Sequence, residues 1–196
     1  MGGPVIAAAL RSLLPWACVL VTLGCQAEPK PALELTVGGE TTRFEAHTAL
    51  AEYWELAGQA DELRITIASY PISCDVFVPP PEGEVVVTVS VLVPEGKRIA
   101  LGDYPWTGLD AIREAPRNPA APYALPFVRV PGRGFPLAPG GAIRIAELEP
   151  KIHGRVTGLL SFQGVSEDAT AATRLTGRFE AKLCRYSALP APPGAE

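Results

Sequence analysis

Residues 84–93 read EVVVTVSVLV, and this stretch decides the fold class. Its odd-numbered positions, from Val85 to Val93, are all valine, whereas Thr88 and Ser90 stand on the other face of an extended chain. Strict alternation of this kind predicts a β-strand with one fully apolar face. Because β-branched residues dominate it, we expect a central strand that is covered on at least one side.

Other parts of the chain repeat this extended pattern at irregular spacing. Gly38-Gly39 joins two short runs and is typical of a hairpin turn. The stretch 49–58 is the most helix-compatible part, but it also fits an extension of the preceding strand. We predict an all-β domain of about eight strands, either an antiparallel β-sandwich or a small β-barrel, which one sequence does not separate. The predicted strands are 33–37, 41–48, 63–69, 84–93, 123–130, 142–148, 151–163 and 173–184.

The domain boundaries follow from length and composition. We expect a single domain over 33–186, because a chain of 196 residues leaves little room for two. Within it, 94–139 is a proline-rich loop region in which only 123–130 has strand character. Pro126 would confine that strand to a sheet edge, since proline donates no hydrogen bond to the ladder. The proline- and alanine-rich residues 187–196 are predicted to form a flexible tail.

Charge and motif content argue against several functional classes. The formal net charge of −4 gives no basic surface for nucleic acid. The sequence has no Gly-x-Ser-x-Gly nucleophile elbow, no phosphate-binding glycine loop, and no zinc-protease or calcium motif. His47 and His153 fall on the polar faces of predicted strands and are interpreted as solvated, as is the carboxylate pair Asp61-Glu62. We therefore predict no catalytic residues, no metal and no cofactor.

The N-terminal residues 1–24 have the layout of an export signal. Arg11 supplies positive charge, and the apolar run 12–24 that follows it is too short to span a bilayer. The run leads into Val21-Thr22-Leu23-Gly24-Cys25, which resembles the lipobox of bacterial lipoproteins. The resemblance implies that the Cys25 thiol receives a diacylglyceryl group and that signal peptidase II cuts the chain before it.

The lipoprotein resemblance also implies a location in the cell envelope. Gln26 stands where an aspartate would favour the inner membrane, so the resemblance points to the outer membrane, facing the periplasm or the cell surface. The lipid on Cys25 would then contact the membrane, with 25–32 as a short proline-containing tether. An envelope protein or a glycan is the expected partner. Residues 175–184 are similar to the last strand of uncharacterised all-β bacterial lipoproteins, a likeness that carries no activity.

Cys74 and Cys184 form an even pair once the leader and the acylated cysteine are set aside. In an oxidising compartment this pair predicts a disulfide. A zinc site is disfavoured because neither cysteine has a Cys or His two to four residues away. Alternation places Cys184 on the polar face of its strand, so we expect the bridge at a strand end or rim and not in the core.

The proline-rich region also carries the candidate binding residues. Long ordered loops on a β scaffold often bind partners, and aromatic side chains there make good anchors. The alternative is that Trp106 folds back as a lid over an open end of the core. The candidate set, with Trp106 as the anchor, is Asp103, Tyr104, Trp106, Tyr123 and Phe127.

Together these patterns favour a lipid-anchored, non-enzymatic module of the cell envelope with a binding or structural role. One alternative is a lipocalin-like carrier, which needs a cavity for a small apolar ligand in place of a packed core. A second alternative is a hydrolase with an unrecognised site, which needs polar groups that converge in a cleft.

Overall fold

The computed structural model describes residues 32–37, 39–55, 60–75, 78–108, 119–165 and 172–187. Every regular element in these ranges is a β-strand, which confirms the all-β class. Within the same ranges, no helix has the length and apolar character needed to cross a bilayer. The predicted leader and Cys25 lie outside the described residues, as do all of the tether and tail except Ala32 and Ser187.

The described residues form eleven strands, where the sequence predicts about eight. They are β1 (Ala32–Val37), β2 (Glu40–Glu45), β3 (Thr48–Trp54), β4 (Asp61–Ala68), β5 (Val86–Val93), β6 (Gly102–Pro105), β7 (Tyr123–Val130), β8 (Arg133–Pro136), β9 (Gly141–Leu148), β10 (Arg155–Val165) and β11 (Ala172–Ser187). The short β6 and β8 lie inside the region 94–139 that was expected to be loop. Residues 49–54, from the stretch with helical character, belong to the separate strand β3.

Strand β5 confirms the central strand predicted from the alternating valines. It pairs with β4 on one side and with β7 on the other, antiparallel in both cases. Val87, Val89 and Val91 are fully buried, whereas Thr88 and Ser90 on the opposite face are half-buried. The branched apolar face therefore packs into the core, and the mixed face points outward.

The strands form one curled, open sheet, a half-barrel, so the predicted eight-stranded sandwich or barrel is not confirmed. Nine strands run in the order β6-β9-β10-β11-β3-β4-β5-β7-β8. The other two, β1 and β2, form the predicted hairpin, in which Val37 pairs with Glu40. The long β11 joins the two parts, because its first half pairs with β1 and its last residues pair with β3 on the same edge.

Strand β7 is not the edge strand that Pro126 predicts, since it pairs with both β5 and β8. The carbonyl oxygen of Pro126 accepts a hydrogen bond from the N–H of Leu137, on the β8 side. The nitrogen and the oxygen of one strand residue point to the same side, so the Pro126 nitrogen also faces away from β5. Pairing with β8 begins only at Phe127, so the missing N–H costs no ladder bond.

The inner face of the sheet holds one main hydrophobic core, to which both the long strands and the short β6 contribute. Its side chains fill the space between the hairpin, the central strands and β9–β11. The largest of the fully buried side chains are Trp106, Phe162, Leu33, Leu63 and Ile65. The described interior is thus packed with side chains in the manner of an ordinary domain core.

Candidate functional site

The predicted disulfide between Cys74 and Cys184 is present, with Cα atoms 5.5 Å apart and a sequence separation of 110. It lies on the outer side of the sheet, because Cys184 is half-buried while its neighbour Leu183 points into the core. Tyr70, in the segment that follows β4, covers a small outer apolar cluster. The bridge fastens this segment to β11. Its predicted position outside the core is confirmed, but Cys184 lies within β11 and not at the end of the strand.

Trp106, the predicted anchor, lies in the core with only 2% of its surface exposed. Its indole Nε1–H donates a hydrogen bond to the carbonyl oxygen of Leu137 over 2.9 Å. It follows β6 and keeps the inward direction of Tyr104, two residues earlier, because side chains alternate along an extended chain. This is the position expected of the lid over the core and not that of an exposed anchor.

Two more of the candidate aromatic residues are buried. Tyr104 and Tyr123 are 6% and 5% exposed. Asp103, in contrast, is exposed and accepts two hydrogen bonds of 2.7 Å from the guanidinium of Arg144 on β9. Hydrogen bonding to Arg144 lowers the pKa of Asp103. Asp103 therefore contributes to a cross-strand ion pair on the surface of the sheet.

Phe127 is half-buried on the outward side of β7. The guanidinium carbon of Arg129 lies 5.4 Å from the centre of its ring, within the range of a cation–π contact. The five candidates therefore do not form one exposed surface. The reason is that Tyr104 and Trp106 point into the core, whereas Tyr123 is buried on the outward side of β7 that also carries Phe127.

Two polar residues differ in part from the prediction. His153 is exposed, as interpreted, but it lies in the turn before β10 and not on a strand, with a φ of 66°. Asp61, interpreted as solvated, is 8% exposed. Its carboxylate accepts a hydrogen bond of 3.1 Å from the hydroxyl of Tyr53. Asp61 starts β4 and shares the inward direction of Leu63, which is the sequence signal that marks it as buried.

Near Tyr53, an open cavity of about 320 Å³ lies where β3 and β11 end, and we call it the Glu55 cavity. The Glu55 carboxylate in this cavity is buried, since the residue is 5% exposed. A concave space with mostly apolar walls and a few polar groups is the usual form of a small-molecule site. The residues that line the cavity include Tyr53, Glu55, Arg98, Leu101, Leu148 and Tyr186.

A β-bulge in β11 turns Tyr186 toward this cavity. Leu183 and Arg185 pair with consecutive residues of β3, so Cys184 is the extra residue of the bulge. The insertion reverses the alternation along the strand: Leu183 is buried, Arg185 is exposed, and Tyr186 packs against the core. Tyr186 then lies beside Tyr53, with the two ring centres 5.4 Å apart.

The opposite wall of the cavity is held by Tyr104. Its hydroxyl donates a hydrogen bond of 2.8 Å to the carbonyl oxygen of Ala100 and accepts one of 2.9 Å from the N–H of the same residue. These bonds fix the segment before β6, which carries Arg98 and Leu101. Leu101 is 62% exposed and forms an apolar rim. Tyr104 thus acts as a positioning residue for the cavity.

Two pairs of polar groups lie in and beside the cavity: the Glu55–Arg98 ion pair and the Tyr53–Asp61 hydrogen bond. Nη1 of Arg98 lies 2.9 Å from Oε1 of Glu55, and the exposed fractions of the two side chains are 71% and 5%. The carboxylate is therefore held inside, while the guanidinium reaches it from the solvent. Burial, followed by the charge of Asp61, raises the pKa of Tyr53. The Tyr53 hydroxyl consequently stays protonated at neutral pH and donates to Asp61.

The sequence analysis missed both members of the Glu55–Arg98 pair. Glu55 keeps the inward direction of Ala51 and Tyr53, so alternation extended by one step marks it as a buried acid. Arg98 has no comparable signal, because its contact with Glu55 depends on the position of the segment before β6, which Tyr104 holds through Ala100.

No protein-family model, curated protein or solved structure matches this chain. In the part of the chain that the structure describes, no three His, Cys, Asp or Glu side chains are grouped to hold a metal ion. The Glu55 cavity combines apolar walls, two tyrosine rings and an ion pair. Such a set is suited to binding a small amphipathic molecule.

Proposed function

We propose that this protein is a lipid-anchored module of the bacterial cell envelope with a non-enzymatic binding or structural role. The observation that carries the proposal is the Cys74–Cys184 disulfide. Structural disulfides form and persist in oxidising compartments outside the cytoplasm and are rare within it. The lipobox-like residues before Cys25 supply an independent argument for export and for attachment to the outer membrane.

Lipid attachment would give the domain stable contact with the membrane. A single acyl chain binds a bilayer only marginally, whereas two or more chains hold a protein there. A diacylglyceryl group on Cys25 meets that requirement, and it places the β domain within a short distance of the lipid surface. A module in this position would bind an envelope partner or ligand next to the membrane.

Binding is favoured over the carrier and hydrolase alternatives by the packing of the described residues. A carrier of the lipocalin type needs its cavity inside the sheet, but large side chains such as Trp106 and Phe162 occupy that space. A hydrolase needs a nucleophile and a base in contact. The Glu55 cavity instead offers a carboxylate already paired with Arg98 and a tyrosine that remains protonated.

Labelled palmitate tests the lipid anchor. The wild-type chain should incorporate label and fractionate with the outer membrane, whereas a Cys25→Ala variant should do neither. Cys18→Ala is the matched control, since Cys18 lies within the apolar run and should leave labelling unchanged. Equal incorporation of label in the Cys25→Ala variant would contradict the proposal.

We also propose that the curled sheet is an open sandwich, with the β1–β2 hairpin facing the ends of β5 and β7. A cavity of about 180 Å³ supports this arrangement, because Leu35 and Val37 of the hairpin line it together with Val85 and Val130. Nuclear Overhauser contacts between the methyl groups of Val37 and Val130 are expected. Their absence in a fully assigned spectrum would contradict the arrangement.

A further inference from the structure

We propose that the Glu55 cavity binds a small organic cation, an ammonium group that carries a short apolar substituent. This inference rests on the binding role proposed above, for which it names the ligand class, and it does not depend on the lipid anchor.

The carboxylate of Glu55 selects the sign of the ligand charge. Glu55 is 5% exposed, and Asp61, which is 8% exposed, accepts a hydrogen bond from the hydroxyl of Tyr53. Arg98 pairs with the Glu55 carboxylate from the rim. A buried acid attracts a cation strongly because little water screens the pair. An anionic ligand would instead be repelled by the Glu55 carboxylate.

Arg98 occupies the place that the ligand cation would take. Its guanidinium contacts Oε1 of Glu55 at 2.9 Å, yet 71% of the side chain is exposed. A side chain so exposed moves into solvent with little change in its hydration, and ion pairs of exposed side chains contribute little free energy. A ligand ammonium can therefore exchange with the guanidinium and keep the carboxylate paired throughout.

The walls of the cavity fit the rest of such a ligand. Tyr53 and Tyr186 line the cavity with ring centres 5.4 Å apart, and aromatic rings attract quaternary ammonium groups. Leu148 lines the cavity beside them, and Leu101 is 62% exposed at the rim. The apolar substituent of the ligand would cover Leu101 and remove that surface from water.

Titration of the full-length chain in a maltoside detergent tests the inference, with butyltrimethylammonium as the probe and calorimetry as the readout. We expect saturable binding of this probe and of choline. The neutral isostere, in which carbon replaces the choline nitrogen, should bind at least about tenfold more weakly, because it loses the charge pairing. Equal binding of the neutral isostere would overturn the inference.

Two variants should change the affinity in opposite directions. Glu55→Gln keeps the size of the side chain but removes its charge, so butyltrimethylammonium should bind at least about tenfold more weakly. Arg98→Gln removes the internal competitor, so the same probe should bind more tightly. The matched controls are Asp103→Asn and Arg144→Gln, which break an exposed ion pair elsewhere and should leave the affinity unchanged.

A Tyr186→Leu variant keeps the test decisive if Glu55→Gln does not fold. It retains an apolar wall but removes one aromatic ring, and the affinity should fall a few-fold. Displacement of the probe by free choline indicates a soluble ligand, and displacement by phosphatidylcholine in the maltoside micelles indicates a lipid headgroup, both of which support an ammonium site. Weaker binding of the probe to Arg98→Gln, or no binding of the probe to the wild type, would overturn the inference. Membrane fractionation tests the lipid anchor separately, so the two proposals can fail independently.

Discussion

Replacement of Trp106 by alanine distinguishes a lid over the core from an exposed binding anchor. Trp106 is 2% exposed, and its indole N–H is bonded to the carbonyl oxygen of Leu137 at 2.9 Å. Truncation of a buried tryptophan lowers the free energy of unfolding by about 3–5 kcal/mol. For a domain of this size the melting temperature should fall by about 6–20 °C. That loss is a large share of the stability of a typical domain, which is about 5–15 kcal/mol.

Urea and thermal unfolding of the full-length chain measure this loss by far-UV circular dichroism, since the substitution itself changes tryptophan fluorescence. Trp54→Ala is the matched control. Trp54 is half-buried on the outer side of β3, with the guanidinium carbon of Arg64 4.9 Å from the centre of its ring. Its removal should cost about 1 kcal/mol. Trp106→Phe should fall between the two, because it keeps most of the volume but leaves the Leu137 carbonyl without the indole donor.

Equal free energies of unfolding for Trp106→Ala and Trp54→Ala would contradict this prediction. Such a result would mean that the indole is not packed in the core. The proline-rich region would then regain the exposed anchor that the sequence predicts, and an affinity measurement on the Trp106 variant would become the informative experiment.

Three further predictions concern the central strand, the disulfide and a surface ion pair. Val89→Asp should lower the free energy of unfolding by several kcal/mol, because it buries an unpaired carboxylate. If urea unfolding shows a change below about 1 kcal/mol, the central position of β5 is contradicted. Replacing Cys74 and Cys184 by serine should cost up to about 5 kcal/mol, whereas stoichiometric thiol labelling of both cysteines in unreduced wild type would show that no bridge exists. The lowered pKa of Asp103 means that its contribution to stability is present at neutral pH and lost as the pH falls through that pKa. In a carboxyl NMR titration, Arg144→Gln should return the pKa of Asp103 toward its ordinary value.

The all-β class was predictable because apolar and polar residues alternate locally along the chain. The valines of β5 show the period of two without interruption, and the structure buries them on one face. The hairpin at Gly38-Gly39 was predictable for a similar reason, since the turn residues lie between two extended runs. In both cases the information lies within about ten neighbouring residues, which is the range over which periodicity can be recognised.

The strands β6 and β8 were not predictable from such signals. Each has four residues, and each contains or adjoins prolines that usually indicate a loop. They exist because β9 and β7 offer them paired neighbours, which are distant in the sequence. Trp106 illustrates the consequence, because it follows β6 directly and lies in the core.

The Glu55 cavity depends on a feature that alternation cannot reveal at all. Continued past Leu183, the period of two would turn Arg185 inward and Tyr186 outward, but the bulge at Cys184 reverses both. The bulge residue is also the one that the disulfide ties to Cys74 on the outer side of the sheet. The covalent bridge therefore restrains the irregularity that directs Tyr186 toward Tyr53. In the sequence, Cys184 indicates only a disulfide. In the structure it is also the bulge residue that sets the direction of Arg185 and Tyr186, and so it shapes one wall of the candidate site.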